Sequence, residues 1–218
     1  MTRIIDLLHK QNPYIDFSAE EYSLDLQGWG SEAPIFEDVI RQLRPSRILE
    51  IGSWKGASAI HMALLTQKYQ IPDVEIVCVD TWLGSPNVWI DGPASPYYSS
   101  LMLVNGFPSI YYQFIANIIK SGVKDLVTPF PSTSSAAASF FAAKGLHFDA
   151  IYIDASHEYR DVRQDLELYW SALQPGGVLF GDDFVPAWGG VVRAVSEWSE
   201  VIGRKISIAP EGKWLIQK

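Results

Sequence analysis

The sequence contains a single cysteine, Cys78, among its 218 residues, so no disulfide can form within the chain. It also lacks an apolar run of about 18–20 residues, which is the length that a membrane helix needs. Charged residues interrupt the first ten positions, which therefore do not resemble a signal peptide. These absences predict a cytoplasmic protein without a membrane partner.

Basic residues are scarce and do not cluster. The chain has 17 Lys and Arg against 25 Asp and Glu, which gives a formal net charge of −8. Because binding to nucleic-acid phosphates needs clustered Lys and Arg, no nucleic-acid partner is expected. Hydrophobic residues make up 48% of the sequence, and eight Trp, ten Tyr and ten Phe make it too apolar for a disordered chain. We expect one domain over residues 1–218 with a large core.

Short apolar runs that end in Gly, Pro or Asp alternate with longer amphipathic stretches. The runs predict strands over 47–52, 74–80, 126–131, 148–155, 178–183, 205–209 and 213–217, and the stretches predict helices over 55–67, 107–119, 134–144, 158–173 and 190–202. This alternation is typical of parallel strands covered on both faces. It predicts a doubly wound, Rossmann-like α/β sheet of seven mostly parallel strands with an antiparallel C-terminal hairpin at its edge. Ligands of such sheets bind at the carboxyl ends of the strands.

The first predicted strand leads into the segment Glu50-Ile-Gly-Ser-Trp-Lys-Gly56. Gly52 permits a tight turn and a close approach of the backbone to a ligand. Gly56 opens a helix whose amino-terminal N–H groups attract anions. The segment matches neither the three-glycine dinucleotide motif nor a P-loop, and a plain strand-to-helix turn is the alternative.

The second predicted strand ends in Asp80-Thr81-Trp82. A carboxylate at this position can accept hydrogen bonds from ribose hydroxyls. Together with the glycine loop, Asp80 indicates a ligand that contains a nucleoside. The Trp82 indole either stacks on the base of that ligand or packs between helix and sheet.

Three carboxylates follow the fourth and fifth predicted strands, namely Asp154, Asp182 and Asp183. Neighbouring strands would bring them to one edge of the sheet, where their mutual repulsion would raise their pKa values. A divalent cation removes that conflict, and oxygen ligands suit Mg²⁺, Ca²⁺ or Mn²⁺. The alternative is that one of them caps a helix or turn. His157, three residues after Asp154, is either a general base or an exposed histidine at a helix start.

The ordered motifs resemble those of class I S-adenosylmethionine-dependent methyltransferases. They are Glu50–Gly56, Asp80-Thr-Trp82, Asp154-Ala-Ser-His157, the segment 173–178 and Gly181-Asp-Asp183. The sequence is most similar to the branch called methyltransferase family 24, which is related to cation-dependent O-methyltransferases. The resemblance extends over about residues 34–217.

This resemblance implies two cofactors, S-adenosylmethionine and a divalent cation, with Mg²⁺ expected. It implies that the methyl donor is bound by Glu50, Gly52, Ser53, Gly56, Asp80, Thr81, Trp82 and Ser132. It implies metal ligation by Asp154, Asp182 and Asp183 and catalytic roles for His157 and Asp154. The catechol-type enzymes have a basic lysine where this sequence has His157. Either His157 or Asp154 is therefore the base, or the metal alone activates the acceptor hydroxyl.

The implied function is Mg²⁺-assisted O-methylation of a small hydroxylated acceptor, such as a sugar or glycan unit or a natural product. The alternatives are a metal-independent methyltransferase and a non-catalytic cofactor-binding or hydroxylase-like protein on the same scaffold. A homo-oligomer is compatible with the sequence. The long aromatic segment 83–106 is expected to form a lid, and residues 1–33 to form an N-terminal flap. Trp54, Trp82, Trp89 and Trp188 follow or lie between strand ends, where the ligand is expected, and Trp29 is a further candidate.

Overall fold

The computed structural model describes residues 3–218, in which seven strands form one sheet. The strands are β1 (Arg47–Ile51), β2 (Glu75–Asp80), β3 (Val127–Pro131), β4 (Phe148–Ile153), β5 (Leu173–Gly181), β6 (Ser207–Ile208) and β7 (Trp214–Gln217). Their order is β3-β2-β1-β4-β5-β7-β6. Strands β1 to β5 are parallel, while β7 pairs antiparallel with both β5 and β6. The predicted mostly parallel sheet with an antiparallel edge hairpin is confirmed.

Within residues 3–218, eight α-helices accompany the sheet. They are α1 (Ile4–Leu8), α2 (Pro34–Leu43), α3 (Ala57–Lys68), α4 (Pro86–Asp91), α5 (Ile110–Lys120), α6 (Ser134–Lys144), α7 (Tyr159–Ala172) and α8 (Gly189–Ile202). Helix α2 begins with Pro34 in its first turn. Proline is tolerated there because backbone N–H groups of the first turn have no hydrogen-bond partner within the helix. Across the described residues, no helix combines the length and apolarity that crossing a membrane would require.

The strands are apolar throughout because both faces of the sheet are buried. On one face α2, α3 and α5 pack against side chains such as Ala150 and Tyr152 of β4. On the other face α6, α7 and α8 pack against the alternate residues, Ile151 and Ile153. Because successive side chains of a strand point to opposite faces, an uninterrupted apolar run supplies both cores at once.

Strand β5 is longer than the sequence predicts. The segment Pro175-Gly176-Gly177 was expected to separate a helix from a strand that begins at Val178. Instead β5 begins at Leu173, which pairs with Phe148, and the register shifts before Val178 pairs with Ala150. A Cβ at Gly177 would lie 2.7 Å from the Asp149 carbonyl oxygen, so a glycine allows this close strand contact.

The N-terminal residues first follow the β3 side of the sheet. The Ile4 N–H donates to Glu75 Oε1 at 2.7 Å, and the Tyr14 hydroxyl donates to the Val127 carbonyl at 2.9 Å. Residues 23–31, called the strap below, then run to the carboxyl edge of the sheet, beside the start of α3. The first two residues of the predicted flap over 1–33 lie outside the described residues.

The segment 83–106, called the lid below, is not a bare loop. It contains α4 and two 3₁₀ turns, Gly92–Ala94 and Tyr98–Leu101. The buried side chains of Val88 and Leu101 attach it to the domain. The helix predicted from residue 107 begins at Ile110, two residues after Pro108.

Gly52 provides a test of the tight turn after β1. Its φ is +86°, and a Cβ there would overlap the carbonyl oxygen of Asp154. Gly122 has a similar φ of +72° but no atom within 4 Å of its would-be Cβ, so it is the matched control. Gly122→Ala should lower the free energy of unfolding by about 1 kcal/mol, through backbone strain alone. Gly52→Ala should cost at least about 2 kcal/mol more, because the two strands must separate. Urea denaturation of both variants measures the difference, and equal costs would contradict the close approach.

Candidate active site

The carboxylate of Asp80 organises the loop that follows β1. Its Oδ2 accepts hydrogen bonds from the N–H groups of Ser53 and Trp54, both at 2.9 Å. Its Oδ1 accepts from the Trp82 N–H at 2.7 Å. One side chain therefore ties the glycine loop to the end of β2. Because Asp80 remains partly exposed, its oxygens can also accept hydrogen bonds from a ligand.

Glu50 lies beneath this loop and is fully buried. Its carboxylate accepts a hydrogen bond from the Ser58 hydroxyl at the start of α3, and the Cys78 thiol lies 3.4 Å away. Burial raises the pKa of Glu50 to about 7, although the Ser58 hydrogen bond opposes this effect. With no exposed surface, Glu50 can act on a ligand only by supporting the loop.

The other residues predicted to hold the methyl donor lie around Asp80. The Ser132 N–H donates to the Asp80 carbonyl at 2.9 Å, and Thr81 is exposed. Trp82 is only 3% exposed, and its indole N–H donates to the Trp54 carbonyl at 2.7 Å. Its ring packs against Tyr111 of α5 at 5.0 Å between centroids. Trp82 is thus largely a core residue that braces the glycine loop.

A cavity of about 570 Å³ opens beside these residues. Its lining includes Thr81 and Trp82 from the end of β2 and Pro131 from the end of β3. Tyr22 and Tyr112 contribute aromatic surface from outside the sheet. The cavity thus adjoins Trp82, whose indole the sequence offers as a stacking partner for the base of a nucleoside ligand.

Asp154 begins the acidic half of the site, directly after β4. The hydroxyl of Tyr152 donates to its Oδ2 at 3.2 Å and lies 3.5 Å from Asp182 Oδ2. Burial raises the pKa of Asp154 to about 7, and the nearby charges of Asp182 and Asp183 add to the rise. The mutual repulsion expected from the sequence is therefore present.

The structure brings Asp154, His157 and Asp183 together. One potential ligand atom from each lies within 4.8 Å of the others. His157 Nε2 is 2.6 Å from Asp183 Oδ2, and this hydrogen bond raises the pKa of the imidazole. The Trp188 ring stacks on the imidazole at 4.1 Å, which fixes its plane. Asp183 has a φ of +65°, so the chain has already turned out of the extended strand conformation. The three residues can hold a cation or can move a proton.

Asp182 points to a different partner. Its Oδ2 accepts a hydrogen bond from Lys213, whose side chain is fully buried. The Lys213 ammonium also donates to the Tyr152 hydroxyl at 3.2 Å. Sequence reasoning missed both Lys213 and Tyr152. Tyr152 carried a usable signal, because it lies two residues before Asp154 and so faces the same side of the strand. Lys213 carried none.

The two halves of the site adjoin at the ends of β1 and β4. The Asp154 N–H donates to the Ile51 carbonyl at 2.8 Å, and Gly52 lies directly against the Asp154 backbone. A ligand held over the glycine loop is therefore next to the acidic cluster.

The family comparison agrees with this architecture. A family model described as a methyltransferase domain matches residues 49–184, which is more than half of the chain. The chain belongs to this methyltransferase family, and the family predicted from the motifs is confirmed. No curated protein matches the sequence significantly.

Solved structures share the fold at low sequence identity. An O-methyltransferase from Bacillus cereus in complex with SAH has a TM-score of 0.60 and 16% identity, covering 99% of this chain and 95% of that chain. The O-methyltransferase TomG from Streptomyces achromogenes, involved in tomaymycin synthesis and solved with SAM, has a TM-score of 0.59 and 16% identity, covering 99% and 94%. A calicheamicin methyltransferase has a TM-score of 0.62 and 20% identity, covering 84% and 77%.

Glu50 gives the site a testable pH dependence. Its pKa rises from 4.5 to about 7 on folding, so the folded protein binds this proton more tightly than the unfolded chain. The resulting stability is complete below pH 4.5 and is lost as the pH rises towards 7. The pKa difference corresponds to about 3 kcal/mol.

As the pH rises from 5 to 8, the free energy of unfolding of the wild type should therefore fall by up to about 3 kcal/mol more than that of Glu50→Gln. Denaturant unfolding at intervals across that range measures the difference. The control is Glu21→Gln, which changes an exposed glutamate. If the free energy of unfolding changed with pH in the same way for Glu50→Gln and the wild type, folding would not raise the pKa of Glu50.

Proposed function

We propose that this protein transfers a methyl group from S-adenosylmethionine to a hydroxyl of a small acceptor. The observation that carries the proposal is the junction between Gly52 and Asp154. It joins a glycine loop held by Asp80 to a cluster that contains His157 and two carboxylates. Methyl transfer needs a bound donor and a group that activates the acceptor oxygen within reach of each other.

The residues present fit the donor. Asp80 keeps exposed carboxylate surface for the ribose hydroxyls, and the neighbouring cavity is lined by Thr81 and Trp82. The glycine loop that contains Ser53 and Gly56 would lie against the methionine end, with Glu50 supporting the loop from below. Ser132 would lie at the adenine edge. When bound, S-adenosylmethionine supplies an electrophilic methyl group.

The residues also fit a divalent cation, for which Mg²⁺ is our first candidate. Asp154 and Asp183 supply carboxylate oxygens, and His157 supplies a nitrogen within the same 4.8 Å group. Ligation by Asp182 as well would require that carboxylate to leave Lys213. When bound, the cation would lower the pKa of an acceptor hydroxyl.

A metal-independent reaction is the second candidate function, and one observation favours it. The carboxylates at the end of β5 already have partners within the chain, since Asp182 binds Lys213 and Asp183 binds His157. In this version Asp183 orients the imidazole of His157, which accepts the proton from the acceptor hydroxyl. A cytoplasmic location and self-association stay predictions.

Donor binding is tested with Asp80→Asn. Titration calorimetry should show that the wild type binds S-adenosylmethionine and that Asp80→Asn binds it at least about tenfold more weakly. The amide of Asn is a weaker hydrogen-bond acceptor than the Asp80 carboxylate, both for the ribose hydroxyls and for the loop N–H groups. The matched control is Asp73→Asn at an exposed position after α3. Absence of binding to the wild type would overturn the proposed function.

The two versions of the mechanism differ in their response to metal removal. If a cation is required, EDTA should abolish methyl transfer to a catechol or sugar acceptor, and added Mg²⁺ or Mn²⁺ should restore it. Manganese binding, measured by electron paramagnetic resonance without any acceptor, should be lost in Asp154→Asn and in Asp183→Asn. Glu158→Gln, beside His157 but outside the cluster, is the control. Transfer that survives EDTA would instead support the His157–Asp183 version.

A further inference from the structure

Three aromatic side chains from distant parts of the sequence meet above the glycine loop. Trp29 of the strap lies 5.3 Å from Tyr97 of the lid, edge to face, and 6.4 Å from Trp54 of the loop, measured between ring centroids. Trp29 is 53% exposed and Tyr97 is 39% exposed. The group, called the aromatic triad below, therefore presents an open apolar surface.

The position of Trp29 is set by its neighbours in the strap. At Gly28 an added Cβ would lie 2.6 Å from Ala57 at the start of α3. At Gly30 it would lie 3.3 Å from the Lys213 ammonium. Because Lys213 also binds Asp182, the strap on the two sides of Trp29 lies against the start of α3 and against the lysine that reaches the end of β5.

A buried lysine ties the strap to the loop. Lys55, between the two glycines of the motif, is only 3% exposed and lies 2.5 Å from the Asp25 carboxylate. Asn117 of α5 donates from its amide nitrogen to the carbonyls of both Asp25 and Lys55, at 2.7 and 2.8 Å. A buried ammonium without this partner would be costly, so the strap is strongly held at this point.

The lid joins the same network. Gln27 Oε1 accepts hydrogen bonds from the Ser100 hydroxyl at 2.9 Å and from the Trp54 indole N–H at 3.3 Å. The Lys55 ammonium lies 3.5 Å from Ser100 Oγ. Polar contacts below the aromatic triad therefore fix the strap, the lid and the loop to one another. The ring of Trp29 is not needed as an anchor, and about half of its surface stays free.

We propose that the aromatic triad is the subsite that binds the ring of the acceptor, and that Lys55 is a positioning residue which holds it over the cofactor loop. The ligand class is an uncharged ring that carries neighbouring hydroxyls, as in a sugar or an aromatic diol. This inference rests on the proposed function, because it assigns the acceptor to the same cleft.

The chemistry of the surroundings selects that class. Exposed indole and phenol rings bind the flat apolar face of another ring. Glu211 Oε2 and the Lys213 ammonium both lie beside Gly30, so the charged groups nearest the strap have opposite signs and do not favour a charged acceptor. Aromatic side chains that belong to the core of this region are much less exposed, since Trp82 and Phe114 are almost completely buried.

The test uses protein labelled with 5-fluorotryptophan and followed by fluorine NMR in the presence of SAH and Mg²⁺. Loss of one resonance in Trp29→Phe assigns the Trp29 signal. Catechol and methyl mannoside are then titrated separately, with glycerol as a polyol that has neighbouring hydroxyls but no ring. The Trp29 resonance should shift and saturate with at least one ring compound and not with glycerol. Which compound acts distinguishes an aromatic from a sugar acceptor.

Two matched pairs of variants complete the test. Trp29→Leu should weaken binding of the active ring compound at least about tenfold, while Trp89→Leu should not. Trp89 is a comparable control because it is 42% exposed in the lid but packs on Tyr98. Lys55→Met should also weaken ring binding, whereas Lys68→Met on the surface of α3 should not.

The outcomes separate this inference from the proposed function. If SAH binds and the Trp29 resonance responds to neither ring compound, the subsite is overturned and the methyltransferase proposal stands. If SAH itself does not bind, the proposed function fails. Should Lys55→Met not fold, Trp29→Leu still decides the question, because its side chain is half-exposed. Equal effects of Trp29→Leu and Trp89→Leu would also overturn the subsite.

Discussion

The contact between Gly52 and the backbone of Asp154 is the constraint on which the site depends. Parallel strands β1 and β4 run side by side, and the chain must leave β1 without separating from β4. Only a residue without a Cβ can turn there, because any side chain would overlap the Asp154 carbonyl. After this turn, the Asp80 carboxylate accepts hydrogen bonds from the loop N–H groups on the β2 side. The acidic cluster lies on the β4 side. The proposed donor loop and the acidic cluster therefore share a cleft.

The parts of the site that the sequence predicts are those read directly from strand ends. Gly52, Asp80 and Asp154 each follow an apolar run, and a parallel sheet brings such positions to one edge. Lys213 could not be found in this way. It reaches Asp182 across 31 residues, through a hairpin whose register no local pattern reveals. Lys55 is a similar case, because an isolated lysine in a glycine loop indicates a solvent-exposed charge unless its partner Asp25 is known.

Charge compensation explains a departure from the metal site that the motifs imply. Three carboxylates close together need positive charge, and a cation is one source. This chain supplies part of that charge itself through Lys213 on Asp182, while the imidazole of His157 hydrogen-bonds to Asp183 and adds a positive charge only when it is protonated. Asp154 accepts a hydrogen bond from the neutral Tyr152 hydroxyl, and burial together with the charges of Asp182 and Asp183 raises its pKa to about 7. An incoming cation would therefore find Asp154 the least compensated of the three carboxylates, and would have to compete with His157 for Asp183.

The family match covers the middle of the chain, and several residues near the site lie outside it. The family match begins at residue 49 and ends at residue 184, which includes the glycine loop, Asp80 and the acidic cluster. The strap with Trp29 and Asp25 lies before it, and Lys213 lies after it. Both outer segments fold back onto the carboxyl edge of the sheet, where they contact the matched core through Lys55 and Asp182. In the proposed arrangement, residues outside the matched region bound the acceptor side of the cleft, so acceptor choice could change while the proposed donor loop and its glycine contact stay the same.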